Sequence, residues 1–408
     1  METKQYDLIL TGGHVIDPAN NIDGAMDVAV SGGKIARVAP DIPAESANKT
    51  VDVKGAFVIP GIIDIHTHVY PLLPAGEHNL PTIHGDAHML KAGITTTADA
   101  GTTGWRDFLY FKENVIDRSK VRVLAFLNIA ACGMVDMRSE QNVKDMQPGI
   151  AAAVAKEYSD VIVGIKCAHY WSAPRVFDEL HPPWASVDKA VEAGTLCSMP
   201  VMVDFQPNLP ECPYPDLVTE HMRPGDIHTH VFARQFPIVD DNGKVFDHMW
   251  KARERGVYFD LGHGGGSFWF RNAVRAQRDG FPPDTLSTDL HMGNIHGAVL
   301  SMLQTMSKYL NMGMPLNEVI MRSTSMPAKL INRPELGTLS VGGCADIAVI
   351  RKIDGDYGYI DNGGAKITGT SELNCLMTIR DGDIVYDGYG LSMPLWEDAP
   401  EDYWKVPY

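Results

Sequence analysis

Eight short apolar runs, separated by stretches of helical character, constrain this chain more than any other feature. They are Val58–Ile63, Ile94–Ala98, Val121–Leu127, Val161–Ile165, Pro200–Val203, Asp226–His230, Val257–Leu261 and Thr285–Thr288. Continuous Val/Ile/Leu runs suit strands buried on both faces, and strand–helix alternation repeated eight times predicts an α/β fold, a (β/α)8 TIM-like barrel, over residues 58–336. At 408 residues the chain exceeds what one core comfortably supports, so a second, smaller domain is expected. The two ends supply it. Tyr6–Thr11, His14–Asp17, Met26–Val30 and Ile35–Val38 alternate with glycine turns, and the same texture returns at Ala345–Ile350 and in the hairpin Leu376–Tyr386. Residues 1–57 and 337–395 together are read as a small β-sandwich, and 396–408 as a C-terminal tail.

The formal net charge of −16, with no basic run, argues against nucleic acid as a partner. No stretch approaches the roughly 18 consecutive apolar residues of a membrane span. The start, Met1–Asp7, is charged and polar, unlike a secretory signal. Cys132, Cys167, Cys197, Cys212, Cys344 and Cys375 show no paired spacing. Reduced thiols in a cytoplasmic protein are the expectation.

Ligand-type residues collect at the ends of the eight runs: His66 and His68, Lys166, Asp204, His230 and Asp289. In a barrel, strand C-termini face the active site. Two histidines two apart on a strand leave on one face, which suits chelation of one ion, although a surface His-x-His pair commonly binds nothing. A lysine ending a buried strand is unusual. Burial makes its neutral amine accessible, and such an amine takes up carbon dioxide as a carbamate; the alternative is a lysine whose head reaches solvent. His230 shares its strand with His228, and either suits a structural role as well as ligation. Asp289 offers a carboxylate for a metal and for a proton, or else a helix N-cap. The run Gly262-His263-Gly264-Gly265-Gly266 lets backbone approach a ligand closely, or is a flexible turn.

With these residues in place, the sequence resembles the amidohydrolase superfamily, and within it the dihydroorotase-like deacetylase branch. The resemblance runs from Tyr6–Leu10 and Gly12–Asp17 through Val58–His68, Gly164–Lys166, Arg223–Asp226, Asp260–Gly264 and Ser287–His291 to Gly337–Leu339 and Gly342–Asp346. It implies one or two divalent ions, most often zinc, with manganese or iron as alternatives. By position His66, His68, a carboxylated Lys166, His230 and Asp289 would hold them, with Asp289 as general acid or base. His263 and Gly264 fall at substrate-contacting positions. The chain departs from the pattern twice. The fifth strand normally ends in a histidine, and here carries Asp204, shorter and negatively charged, which either ligates a metal or stands behind the ligands. The arginine expected shortly after the lysine is absent from Cys167-Ala168-His169-Tyr170-Trp171. His169 and Tyr70 are placed in the pocket that selects the substrate.

The resulting expectation is a metal-dependent hydrolase of an amide or ester bond, deacetylase-like, in which a metal activates water. It acts on a small molecule and is expected as a homo-oligomer without nucleic-acid or membrane partners. Ring opening of a cyclic amide or imide is the alternative within enzymes. A catalytically inactive barrel acting as a binding or assembly subunit is the alternative outside them.

Overall fold

A computed structural model describes residues 4–70, 82–135, 139–170, 181–206 and 209–404. The chain opens with strands β1 (Tyr6–Asp17), β2 (Ile22–Ser31), β3 (Lys34–Ala39), β4 (Ala47–Asp52) and β5 (Phe57–Pro60). Seven strands follow: β6 (Ile62–Thr67), β7 (Ile94–Gly104), β8 (Arg122–Asn128), β9 (Ile162–Tyr170), β10 (Val201–Gln206), β11 (Ile227–His228) and β12 (Tyr258–Phe259). It closes with β13 (Ile347–Ile360), β14 (Lys366–Arg380) and β15 (Asp383–Asp387).

Strands β6 to β12 form one parallel sheet in sequential order. Helices such as Pro148–Glu157 and Ala185–Cys197 lie between consecutive strands. The sheet curls so that its two edges meet through residues 285–290. Thr285 bridges Asp260 in parallel, and Leu290 bridges Thr67 in parallel. On one side Leu261, His263 and Gly264 donate to Thr285, Ser287 and Thr288; on the other Asp289 N–H reaches His66 O at 2.6 Å and His68 N–H reaches Leu290 O at 3.1 Å. The eighth run is therefore the segment that joins the first strand to the last, and it carries Asp289 to His66 and His68.

The termini build a single mixed sheet in the order β15-β14-β13-β5-β1-β2-β3, with β4 on β1. Leu8, Leu10, Val28, Val30, Val349 and Met377 share its apolar core. One boundary differs from the sequence reading. The run Val58–Ile63, read as one barrel strand, is two strands. Phe57–Pro60 pairs antiparallel with β13, and Ile62 begins the barrel. At the junction Gly61 N–H donates to Asp346 O, whereas Ile62 N–H donates to Gly93 O. An apolar run shows burial but not which sheet accepts its hydrogen bonds.

Arg122, at the start of β8, crosses between the two sheets. Its guanidinium pairs with Asp346, bonds Asp381 Oδ1 at 2.8 Å and bonds Thr96 Oγ1 at 3.0 Å. None of the six cysteines is bridged. Among the described residues no helix is long and apolar enough to cross a membrane.

Candidate metal centre and active site

The barrel's C-terminal end brings the predicted ligands together. His66 and His68 leave the end of β6 with ring centroids 5.6 Å apart, and His230 stands 4.9 Å from His66. Asp289 Oδ1 lies 2.9 Å from His68 Nε2 and 3.5 Å from His66 Nε2. Asp204 Oδ2 lies 3.1 Å from His230 Nε2 and also accepts the Tyr170 hydroxyl. Lys166 Nζ sits 3.5 Å from His66 Nε2. This lysine is wholly buried, so the reading of a solvent-reaching head does not hold. Its stem passes over Gly101, where an added Cβ would stand 2.5 Å from Lys166 Cγ; only glycine leaves that path open.

Hydrogen bonding fixes which imidazole nitrogen faces the site. Thr229 donates its hydroxyl hydrogen to Asp260 Oδ2 at 2.8 Å, so its oxygen accepts from His66 Nδ1–H at 2.8 Å. Thr102 likewise donates to Asp99 Oδ2 at 2.9 Å and accepts from His68 Nδ1–H at 2.8 Å. His230 Nδ1–H donates to Gly262 O at 2.5 Å. All three Nε2 atoms therefore turn into one space, shared with the Asp204 and Asp289 carboxylates. Such outer partners orient metal-binding histidines and set their tautomers.

The charges around the site suit a cation. Burial disfavours the His230 imidazolium, yet the Asp204 and Asp289 carboxylates outweigh that cost and push His230 up to about 9. Burial also opposes ionisation of Asp204, but His230 and Lys166 hold it well below the usual carboxylate range. Burial, then Lys166, drive His66 well below the usual histidine range. The buried Asp204 and the half-buried Asp289 carboxylates, facing imidazole nitrogens, suit a divalent ion, and ligand atoms of His66, His230 and Asp289 lie within 4.8 Å of one another.

Around these groups is a cavity of about 330 Å³, walled by Met134, Tyr170, Gln206, Gln235, Gly265, Gly266, Ser267 and His291 as well as the candidate ligands. Other predicted site residues stand behind it. His169 stacks against Trp184 and Phe205, with Nδ1 bonded to Ser186. Tyr70 packs on Phe111. His263 stacks on Phe268 and bonds buried Lys308. None of the three lines the cavity. Gly264 touches the site through its backbone: at φ +56° a Cβ there would lie 2.6 Å from Asp289 Oδ2. Trp171 falls outside the described residues. His228 is structural, wedged among Tyr214, Phe236 and Phe259 with Nδ1 at Val203 O. No helix starts at Asp289, which removes the N-cap reading.

Sequence reasoning missed Thr102, Asp99, Thr229 and Asp260. Each lies on or just beyond a barrel strand, but a lone threonine carries no signal until the histidine it serves is known.

Residues 270–385 match the amidohydrolase family. A deacetylase of Agrobacterium fabrum is 31% identical over 345 residues, covering 83% of this chain and 81% of the relative. The chain belongs to the amidohydrolase family. Among solved structures, an adenine deaminase superposes with a TM-score of 0.84 at 28% identity, covering 94% of this amidohydrolase and 100% of that chain. A dihydroorotase superposes at 0.80 and 27% identity, covering 93% and 99%. This amidohydrolase is a metal-dependent hydrolase of amide-type C–N bonds.

The relays give a direct prediction. Thr229→Val keeps the shape but leaves His66 Nδ1–H without its acceptor. The variant is expected to bind metal about 10- to 100-fold more weakly, read by titration against a chelator. Unchanged affinity would mean that the relay does not orient His66.

Proposed function

We propose that this amidohydrolase removes an acyl group from a small amide, as a deacetylase does, at a centre held by His66, His68, Lys166, Asp204, His230 and Asp289. The observation that carries this reading is the set of three Nε2 atoms, each imidazole fixed by a partner on Nδ1, turned toward the Asp204 and Asp289 carboxylates. Zinc suits such a nitrogen and oxygen set, and Lys166 is proposed to contribute as its carbamate. When bound, the metal supplies Lewis acidity, polarising the carbonyl and lowering the pKa of water.

The chain's own groups do the rest. Asp289 takes the proton released when water attacks and returns it to the leaving nitrogen. Asp204 stands where the family pattern has histidine and adds a negative charge, steadied by the Tyr170 hydroxyl. Tyr170, Gln206, Gln235 and Ser267 offer uncharged polar contacts to the substrate. The mixed terminal sheet, whose strands share one apolar core, is proposed to fold as the β-sandwich that supports the barrel.

The test is elemental analysis of the purified protein, an intact-mass measurement under non-denaturing conditions, and turnover of N-acetylated compounds beside hydantoins and dihydropyrimidines. Bound zinc, a mass increment at Lys166 and hydrolysis of the acetylated set are expected. Turnover of the cyclic set alone would replace deacetylation by ring opening. No metal and no turnover would leave a binding subunit.

A further inference from the structure

The tip of the β13–β14 hairpin reaches from the terminal sheet to the loop that walls the cavity. Asn362 Oδ1 accepts Phe268 N–H at 2.7 Å, and Asn362 N–H donates to Phe268 O at 3.0 Å. Asn362 Nδ2 donates to Gly264 O at 3.2 Å. Beside it Asp361 Oδ2 accepts Phe270 N–H at 3.0 Å, while Asp361 Oδ1 holds the turn through Gly363 N–H and Ala365 N–H at 2.8 Å each.

A second support comes from the helix packed against β14. Lys308, buried on helix Met302–Asn311, donates to His263 Nε2 at 2.7 Å and to Ala298 O. His263 Nδ1–H then donates to Gly264 O at 3.1 Å, and the ring stacks 4.5 Å from Phe268. The Gly264 carbonyl is thus gripped by the barrel's His263 and the terminal sheet's Asn362. A Cβ on the same glycine would stand 2.6 Å from Asp289 Oδ2, and the next three residues wall the cavity.

We propose that Asn362 and His263 are positioning residues, which clamp Gly264 so that the Gly264–Ser267 wall holds Asp289 and the substrate in register. This role makes the terminal sheet part of the catalytic apparatus. It rests on the hydrolase reading given above, in which Asp289 carries the proton. Displacing reacting groups by about 1 Å costs on the order of 100-fold in rate, so a clamp of this kind is worth keeping rigid.

The experiment compares the metal-loaded wild type with Asn362→Ala, using Lys366→Ala on the exposed flank of the hairpin as the control. For Asn362→Ala, kcat is expected to fall by about 10- to 100-fold, with KM changed far less and metal content retained. Amide hydrogen exchange over residues 264–270 is expected to quicken, while Lys366→Ala matches wild type in both. Should the alanine variant not fold, Asn362→Asp keeps the acceptor for Phe268 N–H, loses the donor to Gly264 O, and is expected to give the same pattern. Unchanged kcat in a folded variant, with or without a lowered melting temperature, would make Asn362 structural only and overturn the proposal. Unchanged exchange would overturn it too, and exchange reads the clamp without any substrate. Absence of wild-type turnover on every substrate is a separate result, against the hydrolase reading.

Discussion

Asp289→Asn is expected to lower kcat by about 10²- to 10⁴-fold while the metal stays bound. The asparagine keeps an oxygen where the carboxylate stood, so the ion loses little of its coordination, but the side chain can no longer take up and return a proton. The geometry supports this separation of roles. Oδ1 lies 2.9 Å from His68 Nε2 and faces the ligand cluster, whereas Oδ2 lies against Gly264, beside the cavity wall. Burial works against the ionised form, but the hydrogen bond and charge of His68 hold the carboxyl below its usual range, so it is ionised at neutral pH. Steady-state kinetics paired with elemental analysis checks the prediction. Full turnover with metal retained would assign proton transfer elsewhere; loss of metal would show that Asp289 is needed first as a ligand.

His66→Ala should have the largest effect of any single change: metal content falls to background and hydrolysis with it. His66 is the point on which the centre converges. Its Nε2 faces Lys166 Nζ and Asp289 Oδ1, its ring stands beside both His68 and His230, and its Nδ1 is tied through Thr229 to Asp260. His228→Phe is the contrast, since that histidine lies in an aromatic cluster outside the cavity, and the variant should keep its metal. Elemental analysis of both proteins decides. A His66→Ala protein that still holds a full complement of metal would remove His66 from the ligand set.

The candidate ligands were legible in the sequence because each follows an apolar run, and a buried run ending in histidine, lysine or aspartate is chemically conspicuous. Neighbouring residues were not. His263 sits in a glycine loop that reads as a substrate contact, yet its ring turns away from the cavity toward Lys308, 45 positions along the chain. His169 follows Lys166 by three residues, but on a pleated strand odd and even positions leave on opposite faces, and His169 goes into the aromatic layer against Trp184. Tyr70, just past the strand end, likewise packs into the core on Phe111.

The sequence by itself determined the parallel strand series, the sheet made from both ends, the His66–His68 pair and the candidacy of Lys166, Asp204, His230 and Asp289. These follow from periodicity, burial and residue chemistry, which are local properties of the chain. Tertiary structure alone decided that residues 285–290 join the first strand to the last, that Thr102–Asp99 and Thr229–Asp260 fix the imidazole tautomers, and that a hairpin near residue 362 grips a loop near residue 264. Those are hydrogen bonds between positions far apart in sequence, and a donor gives no sign of its acceptor until the fold has brought the two within 3 Å or so.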